Sequence, residues 1–85
     1  PSAGEGTLGP VIVVGDQVTT TFFSPTPERL VYRLFDARGA LVGQGTLDAA
    51  AGTEYLSFRV PATPGAYFLQ VSTGGYQLSR SFIRQ

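Results

Sequence analysis

Apolar and polar positions alternate with a period of two along most of this chain, and no stretch shows a helical period. Val11-Ile12-Val13-Val14 is a continuous apolar run closed by Gly15-Asp16, long enough for a buried strand. From Gln17 to Ser24 the pattern places Val18, Thr20 and Phe22 on one face. Ser24-Pro25-Thr26-Pro27 then interrupts the ladder, because proline has no N–H to donate. In the next run Leu30, Tyr32 and Leu34 share a face, opposite Val31 and Arg33. Asp36-Ala37-Arg38-Gly39 carries Asp first and Gly fourth, as a type I turn leading into a hairpin does. The returning run, Ala40 to Leu47, contains Gly43 and Gly45, which predict a bulge or a closely packed neighbouring backbone.

The second half repeats the pattern. Residues 48–52 form a loop, too short for a stable helix. Glu54 to Val60 turns Leu56, Phe58 and Val60 inward and Tyr55, Ser57 and Arg59 outward. Pro61-Ala62-Thr63-Pro64-Gly65 is a second proline-bounded turn. Tyr67, Leu69 and Val71 line one face of the following strand, and Gly74-Gly75 supplies a two-residue hairpin turn. The last run, Tyr76 to Arg84, places Leu78 and Phe82 on one face with Arg80 between them.

Seven strands with turn signals about every ten residues predict an all-β protein. The architecture expected is an immunoglobulin-like β-sandwich of about seven antiparallel strands in two sheets. Without Trp or Cys it is not a true immunoglobulin domain. Residues 1–9 are Gly-rich and read as a flexible linker, leaving residues 10–85 as the single folded domain. Pro1 to Gly6 lacks the basic and apolar regions of a signal peptide, so either the chain is cytoplasmic or its export signal lies elsewhere.

Composition narrows the chemistry. The 85 residues include six acidic and six basic side chains, all six basic ones arginine, for zero formal net charge. The absence of His removes the commonest general base and metal ligand; the absence of Cys removes disulfides, zinc thiolates and thiol nucleophiles. No lysine and no net positive charge argue against nucleic acid as a partner. A domain this small buries only about 60% of its unfolded surface. Its ten Phe and Tyr side chains must therefore supply much of the core.

Candidate sites are weighed on that background. The six carboxylates, Glu5, Asp16, Glu28, Asp36, Asp48 and Glu54, fall mostly at loops or strand ends, and a glycosidase would need two facing each other across a cleft. No two lie within five residues, so only scattered carbonyls could hold calcium. With neither His nor Lys, no ordinary base activates a hydroxyl. The module is therefore expected to be non-catalytic, with no cofactor and no metal. Tyr55 and Tyr76, read as outward-facing, could stack on sugar rings, but half-buried tyrosines on a sheet face explain them more simply. Polysaccharide binding thus ranks below a structural role. Arg80 and Arg84 stand apart from the other arginines because they flank Phe82 on the final strand.

Three segments carry a resemblance. Leu30 to Val42 is an alternating strand ending in an aromatic-Asp pair, then Gly39, then an apolar strand. Gly65-Ala66-Tyr67-Phe68-Leu69-Gln70-Val71 is a Gly-apolar-Tyr strand, and Ser81-Phe82-Ile83-Arg84 places a basic residue after an aromatic and an aliphatic one. In order and spacing they resemble the C-terminal sorting domain of the type IX (Por) secretion system of Gram-negative bacteria, over about residues 10–85. Two features depart from that family. Val13-Val14-Gly15-Asp16 stands where an Asn-Pro pair is usual, and Arg38 precedes Gly39 where a basic residue usually follows.

The resemblance implies a C-terminal module of a larger secreted protein, commonly a hydrolase. Such a module is exported to the periplasm and recognised by an outer-membrane translocon, and its cargo is attached to the cell surface or released. It implies Asp36, Gly39, Gly65, Tyr67, Phe82 and Arg84 as sorting-motif residues. Arg80 and Tyr76 are further possible partner contacts, and the expected oligomeric state is a monomer. The alternatives are a carbohydrate-binding module of a glycoside hydrolase and a passive immunoglobulin-like spacer.

Overall fold

A computed structural model describes residues 6–85; the expected linker residues 1–5 lie outside the described residues. Eight strands follow in order: β1 (Thr7–Leu8), β2 (Ile12–Val14), β3 (Gln17–Ser24), β4 (Glu28–Asp36), β5 (Leu41–Ala49), β6 (Gly52–Arg59), β7 (Gly65–Ser72) and β8 (Gln77–Arg84). They form two antiparallel four-stranded sheets. In the first, β6 pairs with β3 along its whole length, so β1 and β2 share the other edge of β3, end to end. In the second the order is β5-β4-β7-β8. The two sheets make an all-β sandwich of immunoglobulin-like type.

The inward faces are those the alternation predicts. Val18, Phe22 and Leu56 from the first sheet meet Leu30, Leu34, Tyr67, Leu69, Val71 and Phe82 from the second in one buried cluster. Phe22, Leu30 and Leu69 are completely shielded from solvent. Thr20, also inward, is satisfied by donating its Oγ1–H to the Gly9 carbonyl at 3.0 Å.

Residues 11–14, expected as a buried strand, give instead a three-residue edge strand with Ile12 61% and Val14 72% exposed, because only one side of it is covered by β3. Residues 48–52, expected as a loop, are mostly strand: β5 runs to Ala49 and β6 starts at Gly52. Four further details differ from the sequence expectation. Residues 6–9, read as linker, are instead part of the sandwich: Thr7 and Leu8 pair with Phe23 and Phe22, and Leu8 is buried. Gly6 is packed so tightly that a methyl group there would run into the Phe23 carbonyl. The folded part therefore begins before Pro10, and the described residues form eight strands rather than seven. Secondly, the bulge in β5 falls at Val42, where the register slips between Leu34 and Phe35, not at a glycine. Thirdly, what lies against Gly45 is the ring of its cross-strand partner Tyr32, a side chain rather than a backbone. Tyr32 in turn stacks on Phe58 of the opposite sheet, with centroids 5.5 Å apart. Finally, neither Gly74 nor Gly75 takes a positive φ. The Thr73 Oγ1 closes that turn by accepting the Gly75 and Tyr76 N–H groups, both at 3.1 Å.

Candidate functional site

The residues carried by the resemblance come from three separate runs, and the strand pairing gathers them at one end of the second sheet. Asp36 lies opposite Tyr67, Tyr67 opposite Phe82, and Gly65 opposite Arg84. Local chemistry explains each position. Asp36 Oδ1 accepts the N–H groups of Arg38 at 2.9 Å and Ala40 at 3.0 Å, while Oδ2 takes the Arg38 guanidinium at 3.0 Å. Gly39 closes the turn by donating its N–H to the Asp36 carbonyl, at φ +83°, which a side chain would disfavour. Gly65 opens β7 at φ +143°.

Tyr67 is buried, stacks on Phe82 with centroids 5.7 Å apart, and donates its hydroxyl to the Thr63 carbonyl at 2.6 Å. A tyrosine near the start of this strand, bonded back to the backbone just upstream, is the tyrosine corner of immunoglobulin-like sandwiches. Beside it, a groove of about 440 Å³ runs between the β4–β5 turn and the 61–64 connection, walled by Asp36, Arg38, Val42, Pro61, Thr63 and Tyr67. Within it the Arg38 guanidinium pairs with Asp36, and the Tyr67 hydroxyl donates to the Thr63 carbonyl.

No family model matches this chain, and no curated protein does.

The Ala40 N–H first, and the Arg38 guanidinium second, hold the Asp36 carboxyl below the usual carboxylate range. A carboxylate lowered by folding stabilises the fold above its ordinary value, and that contribution disappears as pH falls through the folded value. Asp36→Asn keeps an acceptor but loses the charge. The wild-type advantage in thermal midpoint is therefore expected to be complete at neutral pH and to shrink as pH is lowered from neutral to below the ordinary Asp value of about 3.9. A gap that stays constant over that interval would remove the charge from the account.

The two arginines singled out for partner contacts are engaged within the molecule. Arg80 fits its fork onto the Leu8 carbonyl, with Nη2 at 2.6 Å and Nε at 3.2 Å. Arg84 donates to the Gly15 carbonyl through Nη1, and its buried Nε has no partner among the described residues. Tyr76, read as outward-facing, is half-buried, and its hydroxyl accepts the Gly6 N–H at 2.8 Å. Tyr76 and Arg80 thus clasp β1 to the last hairpin. Sequence alternation cannot show this, because the hydrogen bonds join residues about 70 positions apart.

The remaining guanidiniums separate the same way. Arg29, Arg38 and Arg59 face Asp48, Asp36 and Asp16 at 3.7, 3.0 and 3.4 Å. Arg33 has no salt-bridge or hydrogen-bond partner among the described residues, and it lies on the outer face of the second sheet. Two residues along the same face is Phe35, which lies opposite Phe68 on one side and Leu41 on the other. Ile83 lies opposite Ala66 in the row beyond. Phe68, Leu41 and Ile83 are 46%, 47% and 62% exposed. Together they form an apolar patch beside a guanidinium that is unpaired among the described residues, directly outside the row of Asp36, Tyr67 and Phe82. Sequence reasoning missed this surface because each residue, taken alone, is an ordinary outward position.

Proposed function

We propose that this chain is the non-catalytic C-terminal sorting module of a larger secreted protein, a hydrolase by its resemblance, handled by a type IX secretion system. It passes through the periplasm and is recognised there by an outer-membrane translocon, which leaves its cargo at the cell surface. The observation that carries this reading is the convergence of the resembling segments. Asp36, Tyr67 and Phe82 fall in one cross-strand row, with Gly65 and Arg84 beside it. Those side chains build the end of the sheet rather than face a partner. The contact surface of this reading is therefore the outer face above them: Phe35, Phe68, Leu41 and Ile83, with Arg33 as its charge-assisted anchor.

The test fuses residues 1–85 to a periplasmically exported reporter in a Gram-negative host with this system. The wild-type fusion is expected at the cell surface. Phe68→Glu with Ile83→Glu, both exposed and so compatible with folding, is expected to lower surface reporter about tenfold and raise the periplasmic pool. Circular dichroism and the thermal midpoint check that this variant stays folded. A wild-type fusion held in the periplasm, or a folded double variant displayed at the wild-type level, would overturn the reading.

A further inference from the structure

The outer face of the first sheet bears a second surface that the sorting reading does not use. Tyr55 projects from β6 opposite Thr21, and Phe23 from β3 opposite Thr53, one diagonal step apart. Such a step spans about 7–8 Å, so the rings can act as two separate platforms. They are 71% and 47% exposed, and neither belongs to the stacked pairs Tyr32–Phe58 and Tyr67–Phe82. Tyr55 is thus not the half-buried filler that composition favours. Its companion is Phe23, not Tyr76.

The surroundings decide what such rings would meet. Thr19, Thr21, Thr53 and Ser57 share this face and offer hydroxyls beside the rings, Ser57 also accepting the Gln17 side-chain amide; beyond Thr19 lie the exposed Ile12 and Val14 of β2. Its one charged side chain on β3 or β6, Arg59, stands at the far end against Asp16 at 3.4 Å. Among the described residues an ionic ligand would find no free counter-charge beside the rings. A dry apolar partner would cover the hydroxyls without satisfying them, which costs free energy. A sugar ring has an apolar C–H face for an aromatic ring and hydroxyls at its rim that both donate and accept. We propose that this face binds a neutral polysaccharide chain laid across Phe23 and Tyr55, with the Thr and Ser hydroxyls exchanging hydrogen bonds at its flanks. The site is separate from the sorting surface, and the two readings stand or fall independently.

Affinity electrophoresis of residues 1–85 tests it, in native gels containing mixed-linkage β-glucan, xyloglucan or galactomannan. At least one of these is expected to retard the wild type. Tyr55→Ala and Phe23→Ala are each expected to weaken that retardation about tenfold, the upper end of what one aromatic contact supplies. Both positions are exposed, so the thermal midpoint should stay close to that of the wild type, and Phe68→Glu should be retarded as the wild type is. Failure of all three polysaccharides to retard the wild type would overturn the proposal. So would undiminished retardation of the folded Phe23→Ala/Tyr55→Ala double variant. Sedimentation showing a wild-type dimer that Tyr55→Ala dissociates would assign the face to a second copy and overturn it equally.

Discussion

Phe22→Ala is expected to take the domain to the edge of unfolding at 25 °C. A chain of 85 residues has a total stability of about 4–13 kcal/mol. Removing a fully buried phenylalanine ring costs about 3–5 kcal/mol, because the lost transfer energy is joined by the cavity left behind. Phe22 has 0% exposure, sits inward on the central strand of the first sheet and lies across from Leu8 and Glu54 in the ladder. Its ring also packs where Gly6 passes; a methyl group at Gly6 would come within 2.9 Å of it. Collapse into the cavity is limited by strands paired on both sides. The thermal midpoint should fall by on the order of 15–30 °C. A loss below about 1 kcal/mol in urea unfolding would mean that Phe22 does not fill the core.

Tyr67 has the second largest expected effect, and two substitutions divide it. Tyr67→Ala removes the ring stacked on Phe82 and is expected to cost about 3–5 kcal/mol. Tyr67→Phe removes only the hydrogen bond to the Thr63 carbonyl and is expected to cost about 1 kcal/mol, since that carbonyl can return to water. Urea unfolding of both variants measures the split. Equal losses would show that the hydroxyl, not the ring, carries the contribution. The pair also bears on sorting. Tyr67 is 3% exposed, so a partner cannot grip it in the folded domain. Surface display should therefore follow stability: near wild type for Tyr67→Phe, lost for Tyr67→Ala. A folded Tyr67→Phe fusion that is not displayed would mean that the tyrosine itself is read.

Removing the chain from Tyr76 onward would strip β8 from β7 along eight register pairs. It would also take away the Phe82 ring, the Tyr76 hydroxyl that holds Gly6 and the Arg80 fork on Leu8. Loss of display after such a deletion would report loss of the fold. Substitutions at Phe68, Ile83 and Arg33 avoid that ambiguity because their side chains face outward.

Alternation alone placed Val18, Thr20 and Phe22, then Leu30 and Leu34, then Leu56, Tyr67, Leu69 and Val71 on inward faces, and each of them is buried. A strand's side-chain period is two whatever it packs against, so facing is a local property and sequence determines it. The β4–β5 turn was legible for the same reason: Asp36 and Gly39 satisfy its geometry within five residues. Tertiary structure alone decided the rest. β1 is two residues long and has no alternation to read; it exists because β3, Tyr76 and Arg80 receive it. The fate of the arginines was equally invisible, since a guanidinium reaches far enough to find an acceptor on the opposite sheet. Arg80 and Arg84 were thereby withdrawn to backbone carbonyls, and Arg33 was left without a partner among the described residues. Exposed patches belong to this second class as well. Phe35 and Phe68, or Phe23 and Tyr55, become one surface only when register sets distant strands side by side, and register is a property of the pairing rather than of either strand.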